Sequence, residues 1–309
     1  MRVLFMGTPD FAVYSLKALL TQHEVIGVVS QPDKPKGRGK KLVPTPVKEF
    51  ALEQGLQVYQ PEKAKDPEFV ALLQELAPDA IAVTAFGQIL PESILNIPRL
   101  GCINVHGSLL PKYRGAAPMQ WSIIDGEKVT GITTMFMAKG MDTGDMLLKS
   151  EVEITSEDNF STVHDKMAEA GANLLLETLT ALEAGTVTRI PQEHVVATYA
   201  PMITKETGHI DWRKNAQDII NLMRGLDPSP GAYAIYGDEP LKFFKGIKLD
   251  GAYTQADFGE IVEVSEKGFA VKCGDGALMI TELQARGKKR MATDAYLRGN
   301  STSKGVLLQ

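Results

Sequence analysis

Two patterns of apolar positions alternate along the first half of the chain: short, mostly apolar runs, and longer stretches in which apolar residues recur at helical spacing. Apolar runs at residues 2–7 (RVLFMG), 24–30 (EVIGVVS) and 79–87 (DAIAVTAFG) predict strands, and the last is apolar enough to be buried on both faces. Between them, residues 9–20 and 67–77 repeat apolar side chains at helical spacing, which predicts amphipathic helices. Buried strands that alternate with such helices are typical of an α/β protein with a parallel-rich sheet covered by helices on both faces.

The second half of the chain has a different pattern. Residues 145–154 are expected to extend the first sheet, and residues 161–185 to form one long helix closed by Gly185. The weakly patterned stretch 186–210 indicates a linker. A helix at about 212–225 and several short strands separated by turns then predict a small, mostly β domain compatible with a barrel. We expect a first domain at 1–186, a linker at 187–204 and a second domain at 205–309.

Composition narrows the classes of protein to consider. The chain has 309 residues, 44% hydrophobic and 23% charged, as in ordinary globular proteins, and a net charge of −5. Its two cysteines, Cys102 and Cys273, form no CxxC pair, which fits a reducing compartment. No apolar run reaches the ~18 residues of a membrane span, so we expect a soluble, cytoplasmic protein with no membrane partner. The five histidines are scattered and HExxH is absent, so no metal site is predicted.

The stretch GCINVHGSLLPKYRG (101–115) carries the first candidate chemistry. Asn104 and His106 lie two apart on a predicted strand, so both side chains point to one face at its carboxyl end. Ligands of open parallel sheets bind outside the carboxyl ends of strands. The plainer alternative is that Asn104 caps a turn and His106 is an ordinary loop histidine.

A second candidate is the loop KGMDTGDMLL (139–148), which follows the predicted strand ITTMFMA. We expect it to present Asp142 at the same end of the sheet as His106, where a carboxylate would orient the imidazole and favour its charged form. An ordinary turn rich in Gly and Asp is the alternative. Together, Asn104, His106 and Asp142 suit reaction at a carbonyl, because an amide and an imidazolium donate to an oxyanion as it forms.

Other catalytic arrangements are less well supported. Ser108 is not part of a GxSxG elbow, and no serine or cysteine stands out with a partnered base. We therefore expect direct attack by an amine of the substrate rather than a covalent enzyme intermediate. The turn MGTPDFA lacks GxGxxG, and Pro9 and Asp10 oppose anion binding at the following helix, so neither a nicotinamide cofactor nor a phosphate is expected there.

The segment KPKGRGKK, within the loop 30–48, carries five cations in eight residues. They are Lys34, Lys36, Arg38, Lys40 and Lys41. The glycines and prolines of this loop predict a flexible cationic finger at the functional edge of the sheet. Such a finger could neutralise phosphates of a nucleic acid, with affinity that falls as salt rises. A solvated charged face is the alternative.

Taken together, these motifs resemble the folate-dependent formyltransferases. The likeness rests on the signature N-x-H-x-S-L-L-P at 104–111, which is highly specific, and on KGMDTGDML at 139–147. FMGTPDFAV, QPDKPKGRGKKLVPTPVK and TAFGQILP in the first half are also similar, as are LDPSPG and LQARGKKRM in the second. The resemblance covers nearly the whole chain, and the basic loop and C-terminal segment point to tRNA.

The resemblance implies a Rossmann-like catalytic domain that takes 10-formyltetrahydrofolate as co-substrate, and an OB-like C-terminal domain that helps to hold tRNA. It implies catalytic roles for Asn104, His106 and Asp142, and tRNA contacts in the basic loop around Arg38. The implied folate contacts are Phe86, Gln88, Ile89, Leu90, Ser108, Leu109, Leu110 and Pro111. The expected acceptor is the α-amine of initiator methionyl-tRNA. Oligomerisation is not implied.

Other acceptors and a non-catalytic role remain as alternatives. A nucleotide-linked amino sugar fits the two-domain size but leaves the basic loop without a role. Glycinamide ribonucleotide needs a phosphate site that Pro9 and Asp10 disfavour, and hydrolysis would need no acceptor-binding domain. A tRNA-binding module with a vestigial pocket would not need intact Asn104, His106 and Asp142.

Overall fold

The computed structural model of the chain describes residues 1–36, 41–251 and 253–309. The strands are, in chain order, β1 (Arg2–Gly7), β2 (Glu24–Val29), β3 (Lys34–Lys36), β4 (Lys41–Val43), β5 (Val58–Tyr59), β6 (Ala80–Thr84), β7 (Cys102–His106), β8 (Arg114–Gly115), β9 (Val129–Phe136), β10 (Met146–Glu153), β11 (Tyr199–Ala200), β12 (Ala232–Tyr236), β13 (Glu239–Leu249), β14 (Ile261–Ser265), β15 (Gly268–Cys273), β16 (Gly276–Ala285) and β17 (Met291–Ala292). The α-helices are α1 (Asp10–Gln22), α2 (Pro46–Glu53), α3 (Pro67–Leu76), α4 (Glu92–Leu95), α5 (Pro118–Ile124), α6 (Phe160–Glu183), α7 (Ala216–Gly225) and α8 (Thr293–Leu297).

The described residues form two compact units. One comprises 1–118, 129–153 and 164–200, and the other comprises 119–128, 154–163 and 201–309. Most of the residues predicted to be a linker, up to Ala200, therefore pack with the first unit. The boundaries expected at 186/187 and 204/205 stay predictions.

The first unit is built on a sheet with the strand order β10-β9-β7-β6-β1-β2-β5 among the described residues. The pairs from β7 through to β5 are parallel, while β9 is antiparallel to β7 and β10 is antiparallel to β9. The parallel-rich α/β fold is thus confirmed, with two antiparallel strands at one edge.

The central strands are apolar at almost every position because both faces of the sheet are covered. Leu4 and Met6 on β1 and Ile81 on β6 are fully buried and pack in one apolar cluster with Phe69 and Leu73 of α3. Cys102, on the next strand, joins the same cluster, and burial raises the pKa of its thiol to about 12. The thiol is therefore protonated at neutral pH and acts as a small apolar side chain.

The second unit carries an antiparallel sheet with the order β12-β13-β16-β15-β14, and β17 pairs with β16. Residues near the end of the chain bridge its two edges, since Leu308 pairs with Tyr236 and Leu307 pairs with Glu260. This segment connects β12 with the start of β14, as the predicted barrel requires. Phe243, Phe269 and Leu308 are almost completely buried in the apolar core of the unit.

Several elements differ from the sequence-based expectation. Helix α7 begins at Ala216 rather than near 212, because Asn215 takes the N-cap position and the Asp275 carboxylate accepts from the Ala216 amide at 2.7 Å. The basic loop carries β3 and β4, which pair antiparallel, whereas the sequence predicts no strand there. The flexibility predicted for residues 37–40 concerns residues outside the described ones. The short helices α4 and α8 have too few residues to show a helical period.

Among the helices described, none combines the length and the apolar character needed to cross a lipid bilayer.

Candidate active site

Strand β7 brings Asn104 and His106 to one place in the first unit. The strand lies between β6, its parallel neighbour, and β9, its antiparallel neighbour, with Asn104 beside Val83 on one side and Met135 on the other. His106 is buried and Asn104 is partly exposed. Within the described residues, the side-chain amide of Asn104 has no hydrogen-bond partner, so both its hydrogens remain available to a ligand.

The turn after β7 is fixed by hydrogen bonds from the neighbouring strands. The Thr133 hydroxyl donates to the Ser108 carbonyl at 2.7 Å and accepts from the Leu110 amide at 3.1 Å. The Ser108 hydroxyl donates to the Lys112 carbonyl at 2.6 Å, and Lys149 Nζ donates to the Leu110 carbonyl at 2.6 Å. The turn is thus held without any contribution from a ligand.

Both ring nitrogens of His106 face oxygen atoms. Nε2 lies 3.0 Å from the carbonyl oxygen of Tyr113, and Nδ1 lies 3.6 Å from Oδ1 of Asp142. A carbonyl oxygen only accepts, so Nε2 carries a hydrogen and donates it to Tyr113. The contact with Asp142 is an ion-pair distance rather than a hydrogen bond. Nδ1 is therefore not engaged in a hydrogen bond and remains available to a substrate beside the carboxylate.

The main chain holds Asp142 in place. Its Oδ2 accepts a hydrogen bond from the Gly115 amide at 2.8 Å, which leaves Oδ1 facing the imidazole. Asp142 has φ +51°, a left-handed conformation that Asp tolerates better than most residues. Tyr113, with φ +58°, also adopts this conformation. The chain therefore turns sharply at Tyr113, which contacts the imidazole, and at Asp142, which provides the carboxylate.

The structure places Asp142 beside His106, as the sequence predicts. The strand before its loop, β9, nevertheless runs antiparallel to β7. The carboxyl end of β9, at Phe136, lies beside Ile103 near the start of β7. The loop between β9 and β10 returns along the sheet to bring the carboxylate to the imidazole.

Two residues that the sequence did not single out complete this arrangement. Arg114, only 1% exposed, directs Nε and Nη2 to Oε1 of Gln192 at 3.0 and 2.6 Å. Gln192 donates from Nε2 to the carbonyls of Asp142 and Gly144, both at 2.8 Å. Arg114 is visible in the sequence as a charge three residues after the N-x-H-x-S-L-L-P signature, but Gln192 lies in a stretch with no pattern that could reveal it.

Some of the predicted folate contacts are buried inside the protein, and others are exposed to solvent. Phe86, Leu90, Ser108 and Leu110 are buried, whereas Ile89 is 77% exposed. Leu109 and Pro111 are partly exposed.

The segment 87–90 offers main-chain hydrogen-bonding groups. Its amides and carbonyls have no partner within the described chain, whereas the Gln88 side chain accepts from the Ala64 amide at 2.6 Å. The Phe86 carbonyl is already occupied by Thr8 Oγ1 and Gln31 Nε2. Unpaired main-chain groups beside an exposed apolar side chain suit a planar heterocycle with donors and acceptors on its edge.

Three of the five predicted tRNA-binding residues lie in the β3–β4 hairpin. Lys34 is exposed on β3, Lys36 ends that strand, and Lys41 begins β4, while Arg38 and Lys40 lie outside the described residues. A cavity of about 220 Å³ lies at the base of the hairpin. Its walls are formed by Thr8, Gln31, Pro32, Lys34, Pro35, Val43, Pro44 and Thr45.

No group of three or more His, Cys, Asp or Glu residues in the described chain is arranged to hold a metal ion.

Two family models match the chain. Residues 1–179 match the model described as formyl transferase, and residues 202–301 match the formyl transferase C-terminal domain. The methionyl-tRNA formyltransferase of Ruminiclostridium cellulolyticum is 54% identical over 310 residues, covering 100% of this chain and 99% of that protein. The enzyme of the same name from Clostridioides difficile is 51% identical over 309 residues, covering 100% of this chain and 100% of that protein.

Solved structures share the fold at lower identity. WlaRD, a sugar 3N-formyl transferase, has a TM-score of 0.67 at 20% identity, covering 94% of this chain and 99% of that one. HypX from Aquifex aeolicus in complex with tetrahydrofolic acid has a TM-score of 0.64 at 18% identity, covering 100% of this chain and 50% of that one.

The contacts of the imidazole predict its pattern of hydrogens. Nitrogen NMR of protein labelled in histidine should show a hydrogen on Nε2 of His106, because Tyr113 presents a carbonyl acceptor there. The signals are assigned by their loss in His106→Gln. His23 is the internal control for a ring without hydrogen-bond partners. Burial lowers its pKa, and neither of its ring nitrogens has a partner in the described chain. A neutral ring protonated only on Nδ1 would contradict the described site.

Proposed function

This chain belongs to the formyl transferase family, and we propose that it transfers the formyl group of 10-formyltetrahydrofolate to the α-amine of initiator methionyl-tRNA. The observation that supports the reaction is at the end of β7, where the unpartnered Asn104 amide shares a strand face with His106, and His106 lies 3.6 Å from Asp142. The acceptor is supported by relatives of this activity that are 54% and 51% identical over the full chain. Charged tRNA is a cytoplasmic substrate, so the cytoplasmic location expected from the sequence is part of the proposal.

The reaction needs a neutral amine as the nucleophile. A free α-amine has a pKa of about 7.7, so a substantial fraction is unprotonated near neutral pH. The amine attacks the formyl carbon, whose oxygen gains negative charge while the new C–N bond forms. The bond from that carbon to the folate nitrogen then breaks, and the proton lost by the amine ends on the folate nitrogen.

In this proposal, the three side chains act on different parts of that step. Asn104 donates from its unpartnered amide to the forming oxyanion. His106, anchored through Nε2 to Tyr113, keeps Nδ1 for the substrate and carries the proton between the amine and the leaving nitrogen. Asp142 stabilises the positive charge of the ring from 3.6 Å and keeps its orientation. No covalent enzyme intermediate is needed, in keeping with the buried, protonated thiol of Cys102.

The two substrates have separate candidate surfaces in the first unit. Folate is proposed to bind along the unpaired main chain at 87–90, beside the exposed Ile89, and against the turn at 108–111. The tRNA is proposed to contact the basic loop through Lys34, Lys36, Arg38, Lys40 and Lys41. The amino-sugar alternative gives this loop no role, and its solved examples share only the fold with this chain.

The identity of the acceptor is tested with 10-formyltetrahydrofolate labelled in its formyl group. Methionyl-tRNA, glycinamide ribonucleotide, a nucleotide-linked amino sugar and water are offered separately. We expect label on methionyl-tRNA, with turnover at least tenfold above that on the other acceptors. Label that reaches the sugar or water but not methionyl-tRNA would refute the proposal.

The contribution of the hairpin is tested by the salt dependence of methionyl-tRNA binding. Replacing Lys34, Arg38 or Lys40 by Ala should each weaken binding and reduce the slope of log K against log [salt] by about 1, because fewer counterions are released. Lys17→Ala, at an exposed position of α1, is the matched control and should leave the slope unchanged. Slopes equal to that of the unmodified protein in all three variants would exclude the hairpin from the interface.

A further inference from the structure

Arg114 is a buried cation whose described partners are neutral. Its Nε and Nη2 donate to Gln192 Oε1, and Nη1 lies 3.1 Å from Nδ1 of His194. No carboxylate pairs with it in the part of the chain that the structure describes. Burying a charge is costly without compensating hydrogen bonds, so Gln192 is a main source of that compensation.

Gln192 uses its full hydrogen-bonding capacity in this position. Its carbonyl oxygen takes two hydrogens from Arg114, and its amide gives one hydrogen each to the carbonyls of Asp142 and Gly144. The side chain is 7% exposed, so water does not readily replace these partners. Gln192 therefore connects the buried guanidinium to the loop that carries the carboxylate.

The position of Arg114 in the chain makes this connection relevant to the active site. The residue before it, Tyr113, accepts from His106 Nε2, and the residue after it, Gly115, donates to Asp142 Oδ2. Both contacts use main-chain atoms, whose placement depends on how residues 113–115 are held. Anchoring the Arg114 side chain to the Asp142 loop fixes these main-chain atoms relative to the carboxylate.

We propose that Gln192 is a positioning residue for formyl transfer, which acts through Arg114 and the carbonyls of Asp142 and Gly144 to hold Asp142 beside His106. The inference rests on the proposed function, because its test measures the rate of formyl transfer. The geometry it explains is independent of which acceptor is used. The test is therefore run with the acceptor that the unmodified protein formylates fastest.

The test variant is Gln192→Glu. The carboxylate can still accept from Arg114, but an oxygen replaces the amide nitrogen and repels the two loop carbonyls. We expect kcat to fall about 10- to 100-fold, because a small misplacement of a catalytic group has effects of this size. KM for the formyl donor and for the acceptor should change by less than about twofold. Gln57→Glu makes the same charge change at an exposed residue of the same unit and should leave kcat unchanged.

Coupling to Asp142 separates positioning from a general structural role. If Gln192 acts through Asp142, the Gln192→Glu change should have little further effect in the Asp142→Asn background, since interacting sites are not additive. Losses that multiply in the double variant would overturn the proposal, as would a normal kcat in Gln192→Glu.

A second variant covers the case in which Gln192→Glu does not fold. Gln192→Asn keeps the amide but is one methylene shorter, so it cannot span from Arg114 to the loop. A reduced kcat with unchanged KM in this variant supports the inference, and a normal kcat overturns it. Absence of transfer to methionyl-tRNA by the unmodified protein would instead count against the proposed function alone.

Discussion

The imidazole of His106 lies between the Tyr113 carbonyl and the Asp142 carboxylate, and the candidate site depends on this placement. The first contact fixes which nitrogen carries a hydrogen, because a carbonyl can only accept. The second places a negative charge 3.6 Å from the other nitrogen. Main-chain atoms of Tyr113 and Gly115 hold both partners of the pair, so the backbone at 113–115 determines the geometry.

That backbone is supported from a part of the chain far away in sequence. Strand β11 pairs with β8, with Tyr199 beside Arg114 and Ala200 beside Gly115. Adding a Cβ to Gly115 would place it 2.8 Å from the Ala200 carbonyl, and this glycine has φ +114°, so a side chain would meet both a clash and strain. The region predicted as a linker thus contributes a strand and the Gln192 side chain to the surroundings of the His106–Asp142 pair.

The sequence predicted the sheet well where the physical signal is local. The apolar runs of β1 and β6 are buried on both faces, and such a run is recognisable within a few residues of sequence. The spacing of Asn104 and His106 also carried local information, since alternate residues share a face. These elements needed no knowledge of distant contacts.

Features that depend on distant partners could not be predicted in the same way. The antiparallel direction of β9 is a property of its pairing with β7, and no residue within β9 specifies it. Gln192 looks like any polar residue in a loop until Arg114 and the carbonyl of Asp142 are placed beside it. Arg38 and Lys40, by contrast, stay predictions because they lie outside the described residues.

Beside the His106–Asp142 pair, the proposed reaction needs the unpartnered amide of Asn104. A side chain bonded to neighbouring protein groups would have to break that bond before donating to an oxyanion, and Asn104 has no such bond in the described chain. The decisive measurement is kcat/KM for formyl transfer by Asn104→Ala, compared with Asn96→Ala at an exposed position of the same unit. We predict a loss of a hundredfold or more in Asn104→Ala, on the order of 3 kcal/mol, and none in Asn96→Ala. Near-normal turnover by a folded Asn104→Ala protein would contradict the account.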